Sequence, residues 1–323
     1  LEVDGIEAGS AGSDLRGLGI VGPGGRYRAW VEGGTDDIAA FVGAWGSDDY
    51  DGRVSFEGEV SPSPGGVHFE GPVRWDEGRA FSLDGFDFGA DAIIDGRAVS
   101  LADGLLRWRG GTVRVDGALF PRTGRVDFDV DWNGLPVAEV TRLCGIDEEI
   151  EGTCSGGGRV EGEAGRPHLL GNFRSSALRF RDITLDSAAG AVAWVERRLE
   201  FSDVVLLSRG SRLSFAGAIE EEGALSGTLE GESFDLRAFM PGAAADVSGT
   251  ISGRFGGTFD DPVLEGEYRA DRLNYESWSF QESEGLFEYR DGVFSLEGNL
   301  AEKVNRFLVD VEPRGEWPFN LNF

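Results

Sequence analysis

Histidine, cysteine, methionine and lysine are nearly missing from this chain. Among 323 residues there are two histidines, two cysteines and one methionine, and Lys303 is the only lysine among 30 basic residues. His68 stands in an alternating stretch and His168 follows Pro167, neither beside a serine or cysteine nucleophile motif, so a hydrolase triad finds no support. Cys144 and Cys154 have no histidine near them and cannot close a zinc site. They are either a disulfide candidate or two unrelated buried thiols. A bridge across so short a loop would stabilise by roughly 2–3 kcal/mol in an oxidising compartment. The glycine clusters at residues 9–13 and 22–25 lack the lysine and helix of a phosphate loop. The Asp-rich turns at 34–37 and 47–51 lack an EF-hand pattern and read as solvated turns. No enzyme chemistry, cofactor or metal is expected. No signal peptide and no apolar run long enough to span a bilayer is present, and both ends read as cut from a longer array.

Positive charge is scarce too. A formal net charge of −28 argues against a nucleic-acid partner and against adsorption to an anionic membrane. The carboxylates are spread along the chain, often at every second position, as a solvated face would place them.

What the chain does have is period-two alternation. Val126, Phe128, Val130 and Trp132 are separated by Asp127, Asp129 and Asp131, which predicts a strand with one apolar and one charged face. Asp51-Gly52, Pro64-Gly65-Gly66, Asp95-Gly96, Gly110-Gly111 and Asp291-Gly292 read as turns between such strands. Glycine, at 51 residues, is read mainly as turn chemistry. Short helices are expected at 35–45, 135–144 and 234–240 only.

The alternation is organised in repeats. Gly104–Leu119 aligns without a gap on Gly285–Leu300, matching Trp108 with Tyr289, Val113 with Phe294, Val115 with Leu296 and three glycines with glycines. Residues 190–206 form a third copy, carrying Trp194, Leu199 and Phe201. A longer match pairs Pro167 with Pro262, Gly171 with Gly266, Leu178 with Leu273 and Gly190 with Gly285 at one constant offset. The expected organisation is an N-terminal β-rich segment (1–103), repeats at 104–189 and 190–284, and the start of another at 285–323. The fold class expected is all-β: an elongated, repeat-built antiparallel curved sheet, a β-taco or open trough, with a few short helices. A closed, self-filled sheet is the alternative solution for the apolar strand faces.

Gly249-Thr-Ile-Ser-Gly-Arg-Phe-Gly-Gly-Thr-Phe-Asp-Asp-Pro262, followed by Leu273-Asn-Tyr275 and Gly285-Leu-Phe-Glu-Tyr-Arg-Asp-Gly-Val-Phe-Ser-Leu-Glu-Gly298, resembles the AsmA/TamB-like superfamily. The likeness covers residues 104–300 best and departs at Glu163-Ala-Gly-Arg-Pro167, which lacks the Asp before proline. It implies a periplasmic segment of a protein anchored in the inner membrane of a diderm bacterium. Such a segment would shield phospholipid acyl chains in an apolar trough during transport between inner and outer membrane. The TamB branch adds a link to outer-membrane biogenesis, with a β-barrel protein as partner. A structural or assembly module aiding barrel insertion is therefore the second reading, and a surface β-solenoid acting on carbohydrate is the third. On the lipid reading the trough would be lined by Trp108, Val113, Val115, Phe128, Val130 and Trp132, then Phe180, Trp194, Leu199 and Phe201, then Leu273, Tyr275, Tyr289, Phe294 and Leu296. Ordinary core packing is the plainer role for each.

Overall fold

The computed structural model describes the chain except residues 1, 11, 24–25, 37–49, 81–82, 144–149, 181–182, 197, 221–222, 240–244, 259, 276–277, 292, 301–305 and 312–323. The protein is all-β and antiparallel, as the alternation predicts, with two short helices among the described residues. The expected helix at 35–45 and the Asp-rich turn at 47–51 fall largely outside those residues, as does Cys144; of the turn at 34–37, Gly34 and Thr35 end a strand and Asp36 pairs with Arg53 at 2.8 Å. Cys154 is buried in its strand.

Contacts divide the chain into two units, residues 1–136 with 155–169 and residues 137–154 with 170–323. In the first unit nine strands follow one another: β1 (Glu2–Ser10), β2 (Ser13–Val21), β3 (Tyr27–Thr35), β4 (Asp51–Ser63), β5 (Gly66–Ala80), β6 (Leu83–Ile94), β7 (Val99–Trp108), β8 (Gly111–Phe120) and β9 (Arg125–Pro136). Each pairs with its sequence neighbour, so the unit is a meander. β10 (Ile150–Glu163) and β11 (Arg166–Phe180) contribute residues to both units. The second unit continues with β12 (Ile183–Val195), β13 (Arg198–Ser208), β14 (Ser211–Ile219), β15 (Ala224–Asp235), β16 (Ala245–Thr258), β17 (Pro262–Tyr275), β18 (Trp278–Arg290), β19 (Val293–Leu300) and β20 (Arg306–Val311), again each beside the next. Helix α1 (Val137–Leu143) follows β9, and helix α2 (Leu236–Phe239) follows β15. Both lie within the two helical stretches expected there.

The order repeats in sixes. β5, β11 and β17 begin at residues 66, 166 and 262, and a described helix follows the fifth strand counted from β5 and from β11. The constant-offset match between Pro167 and Pro262 lies on this repeat. The Gly104–Leu119 likeness to Gly285–Leu300 pairs β7–β8 with β18–β19, which hold different places in the order, so it is a likeness of hairpins.

Turns and bulges are placed by backbone chemistry. The β7–β8 and β13–β14 hairpins turn at Arg109-Gly110 and Arg209-Gly210, all four with positive φ, as a two-residue hairpin of the primed kind requires. Asp103 and Asp203 also take positive φ (51 and 52°), inside strands rather than at turns. There the register shifts between Leu101 and Gly104, and between Phe201 and Val204. Each shift is a β-bulge that inserts one residue and exchanges the faces of everything after it.

Many glycines lie within strands, which corrects the expectation that glycine mainly makes turns. Phe128 lies across Gly117, Phe69 across Gly58, Phe56 across Gly33 and Phe287 across Gly266. A Cβ built on Gly217 would stand 2.7 Å from the Phe255 ring and 3.0 Å from the Gly227 Cα. The missing side chain lets a ring from a nearby strand lie on the backbone and cover it. Gly217→Val should therefore lower stability by about 1–3 kcal/mol, the ordinary cost of overpacking. Gly165→Ala, where a Cβ meets nothing within 4 Å, should stay within about 0.5 kcal/mol of the parent. Urea unfolding midpoints for the two variants check this.

Candidate functional site: an apolar sheet face

In the first unit the expected lining residues do share a face. Register pairs Val113 with Trp132 and Val115 with Val130, and sets Phe128 opposite Gly117. Arg114, Asp116, Asp129 and Asp131 occupy the other side of the same strands. Val113, Val115, Phe128, Val130 and Trp132 are partly buried and keep accessible surface. Trp108 does not: it is 4% exposed, and its indole Nε1–H donates to the Asp84 carbonyl at 3.1 Å. It packs the end of the face.

In the second unit Trp194 pairs with Leu199, and Phe201 follows on the same side, all partly buried. Phe180 and Tyr289 are also partly buried. Leu273 and Leu296 are each 4% exposed and belong to a packed cluster with Leu185, Val247, Ala270 and Phe287. Tyr275 pairs with Ala245 and Trp278, and Phe294 with Tyr289, by backbone register; their side chains lie outside the described residues.

Sequence reasoning missed the line of rings running across the second unit. Phe173, Phe201, Phe215 and Phe255 stand at successive centroid distances of 6.3, 6.1 and 6.3 Å. These spacings suit edge-to-face or tilted contacts. They come from β11, β13, β14 and β16, and the Gly217–Gly227 pair between them makes room. Two of these rings face a glycine across the register, Phe201 opposite Gly217 and Phe255 opposite Gly227, a pairing that is visible only once the strands are aligned. The first unit has shorter equivalents, with Phe56 against Phe69 at 5.9 Å and Trp75 against Phe86 at 4.9 Å.

The opposite side of the second unit carries a shallow hollow of about 580 Å³. Ala191, Ala193, Ser202, Ala216 and Ala218 project there, on the face away from Phe201 and Val192. It is a place where side chains are short, and Arg198 beside it is paired with Glu200 and Glu220. Among the described residues no cluster of three or more His, Cys, Asp or Glu side chains could hold a metal.

The apolar face of the second unit is not uniform along the strands. At one end α2 rests on it, with Leu236, Ala238 and Phe239 buried and the Phe234 and Phe239 rings stacked at 5.7 Å. So short a helix has no stability of its own and is held by this packing. α2 touches both β12 and β16, which lie four strands apart in the meander, so the sheet of this unit curls around it. Two polar atoms are enclosed in the same region. Tyr268 Oη and Ser283 Oγ are buried and reach no partner in hydrogen-bonding geometry. Burial pushes the Tyr268 phenol above its ordinary pKa, and the neighbouring Ser283 hydroxyl partly offsets this.

No family model, curated protein or solved structure matches this chain.

An enclosed hydroxyl without a partner is a destabilising group, so Tyr268→Phe should keep or raise the melting temperature. The pH dependence has a definite sign. A phenol pKa raised in the folded state contributes stability below its ordinary value of 10.0, and that contribution is lost as pH rises through the folded value. Melting curves should show a shallower alkaline loss above pH 10 for Tyr268→Phe than for the parent; an equal or steeper loss would refute the assignment.

Proposed function

We propose that this chain is a segment of an envelope lipid conduit of the AsmA/TamB-like kind, holding phospholipid acyl chains on its apolar sheet face while headgroups stay in water. The observation that carries this reading is the one-sidedness of the strands together with the partly exposed rings on that side. Trp132 and Phe128 in the first unit, and Trp194, Phe201 and Tyr289 in the second, present apolar surface that their own unit does not fully cover. Keeping a chain dry is worth roughly 0.8 kcal/mol per CH₂. A surface of this kind therefore lowers the barrier to moving a lipid through water without any reaction. The charged opposite face and the net charge of −28 keep the segment from associating through its apolar side. The setting we propose is the periplasm, in a parent protein anchored in the inner membrane. Among the described residues no helix is long and apolar enough to cross a membrane.

One observation favours the second reading, a module for barrel assembly. Leu18, Ile20 and Trp30 are 61, 59 and 51% exposed on the charged side of β2 and β3, with Leu18 directly opposite Trp30. An exposed apolar group on that side suits a protein contact better than a lipid tail.

Native mass spectrometry of protein purified gently from bacterial envelopes tests the conduit. Phospholipid-sized adducts are expected on the parent chain. Phe201→Asp should reduce their occupancy at least about tenfold, the effect of some 1.4 kcal/mol, with β-rich circular dichroism retained. Leu207→Asp, on the same strand but the opposite face, should leave them unchanged. Adducts insensitive to Phe201→Asp, or absent from the parent chain, would sink the proposal.

A further inference from the structure

The docking of α2 has a feature that a fixed packing element would not need. Ser208 is fully buried on β13, and its hydroxyl lies 2.8 Å from two carbonyl oxygens, Thr184 O on β12 and Ala238 O on α2. A serine has one proton and cannot donate it fully to both. If α2 lifts away, Ser208 keeps Thr184 O as acceptor and no hydroxyl is orphaned in the sheet, while the Ala238 carbonyl passes to water. The latch can therefore open without leaving a buried polar group unpaired.

The chain's other copies of this place make the point twice. Helix α1, which follows β9 as α2 follows β15, has no buried residue, whereas three of the four residues of α2 are buried. α1 is nonetheless partly buried except at Arg142, so the same element occurs in one chain more shallowly and more deeply packed. Trp108 holds the position in β7 that Ser208 holds in β13, each directly before the Arg-Gly turn. Its indole donates to Asp84 O as Ser208 donates to Thr184 O. Where the residue is a tryptophan, the side chain itself fills the end of the face. Where it is a serine, the space is left for α2.

Building on the conduit reading, we infer that α2 is a reversible strap that covers the β12–β16 end of the apolar face and is displaced by an acyl chain. The surface beneath it suits such an occupant. Leu185, Val247, Ala270 and Leu273 lie in its cluster, and no charged side chain is among the buried residues there. What replaces Leu236 and Phe239 must be slender and apolar. Chain and strap compete for one surface, so binding of either excludes the other.

The test uses hydrogen exchange of the segment 234–239 with native mass spectrometry, and palmitoyl lysophosphatidylcholine below its micelle concentration as probe. Ser208→Ala removes the latch proton, and Ser208→Trp reproduces the arrangement at Trp108; the alanine variant keeps the test decisive if the tryptophan does not fold. The expected result is that the probe binds, speeds exchange of 234–239 in the parent chain at least about tenfold, and binds at least about threefold more tightly to Ser208→Ala. Probe binding with unchanged exchange at 234–239 and equal affinity in the variant would overturn the strap and leave the conduit standing. No probe bound by parent or variant, whatever the exchange, would overturn both.

Discussion

The ring laid across a glycine is the contact on which the rest of this structure depends. A meander with one charged side and, among the described residues, no second sheet or helical layer over it must stabilise its apolar side by contacts within that side. Phe255 over Gly217, Phe287 over Gly266, Phe128 over Gly117 and Phe69 over Gly58 all do so. Each ring shields the backbone of a nearby strand, and Phe255 and Phe69 also meet a further ring, Phe215 and Phe56. The apolar face is thereby stiffened along the hydrogen-bonding direction, yet its outer surface stays apolar and partly open.

That arrangement accounts for the graded burial along the strands. Toward β12, β16 and α2 the second unit curls, and Leu185, Val247, Leu273 and Leu296 pack into a dry cluster. Toward Phe173, Phe201, Phe215 and Phe255 the same face keeps accessible surface. A single sheet face thus carries a packed region that fixes the curl and a partly exposed region that suits apolar cargo. In the second unit Leu273 and Leu296 belong to the packed part and Trp194, Leu199 and Phe201 to the open one; in the first unit Trp108 is packed, while Val130 and Trp132 keep accessible surface.

The helices sharpen the distinction. α1 and α2 follow corresponding strands, but only α2 has fully buried residues. The difference tracks one residue on the strand opposite, serine against tryptophan. A repeat architecture lets such a substitution turn a plain packing position into a seat for a neighbouring element without altering the strands around it.

Period two was enough to give the class and the antiparallel pairing, because alternation of Val126, Phe128, Val130 and Trp132 with aspartates leaves a strand only one side to bury. It also gave the shared apolar face of β8 and β9, where no bulge intervenes. In β13 it stops being enough. Counted in twos from Leu199 and Phe201, the apolar side would continue through Asp203, Val205 and Leu207. The bulge at Asp203 instead turns Val204, Leu206 and Ser208 inward, leaving Val204 fully buried and Leu207 38% exposed. Nothing in the local pattern marks that extra residue, since an aspartate with positive φ is fixed by the hairpins on either side. The same holds for the aromatic line and for α2. A phenylalanine and a glycine become partners only when register sets their strands side by side, and a four-residue helix is docked or not according to what a residue some thirty positions earlier leaves unfilled. The sequence by itself determined which side of each strand avoids water; the tertiary structure decided what covers that side, because coverage depends on contacts between strands that alternation cannot encode.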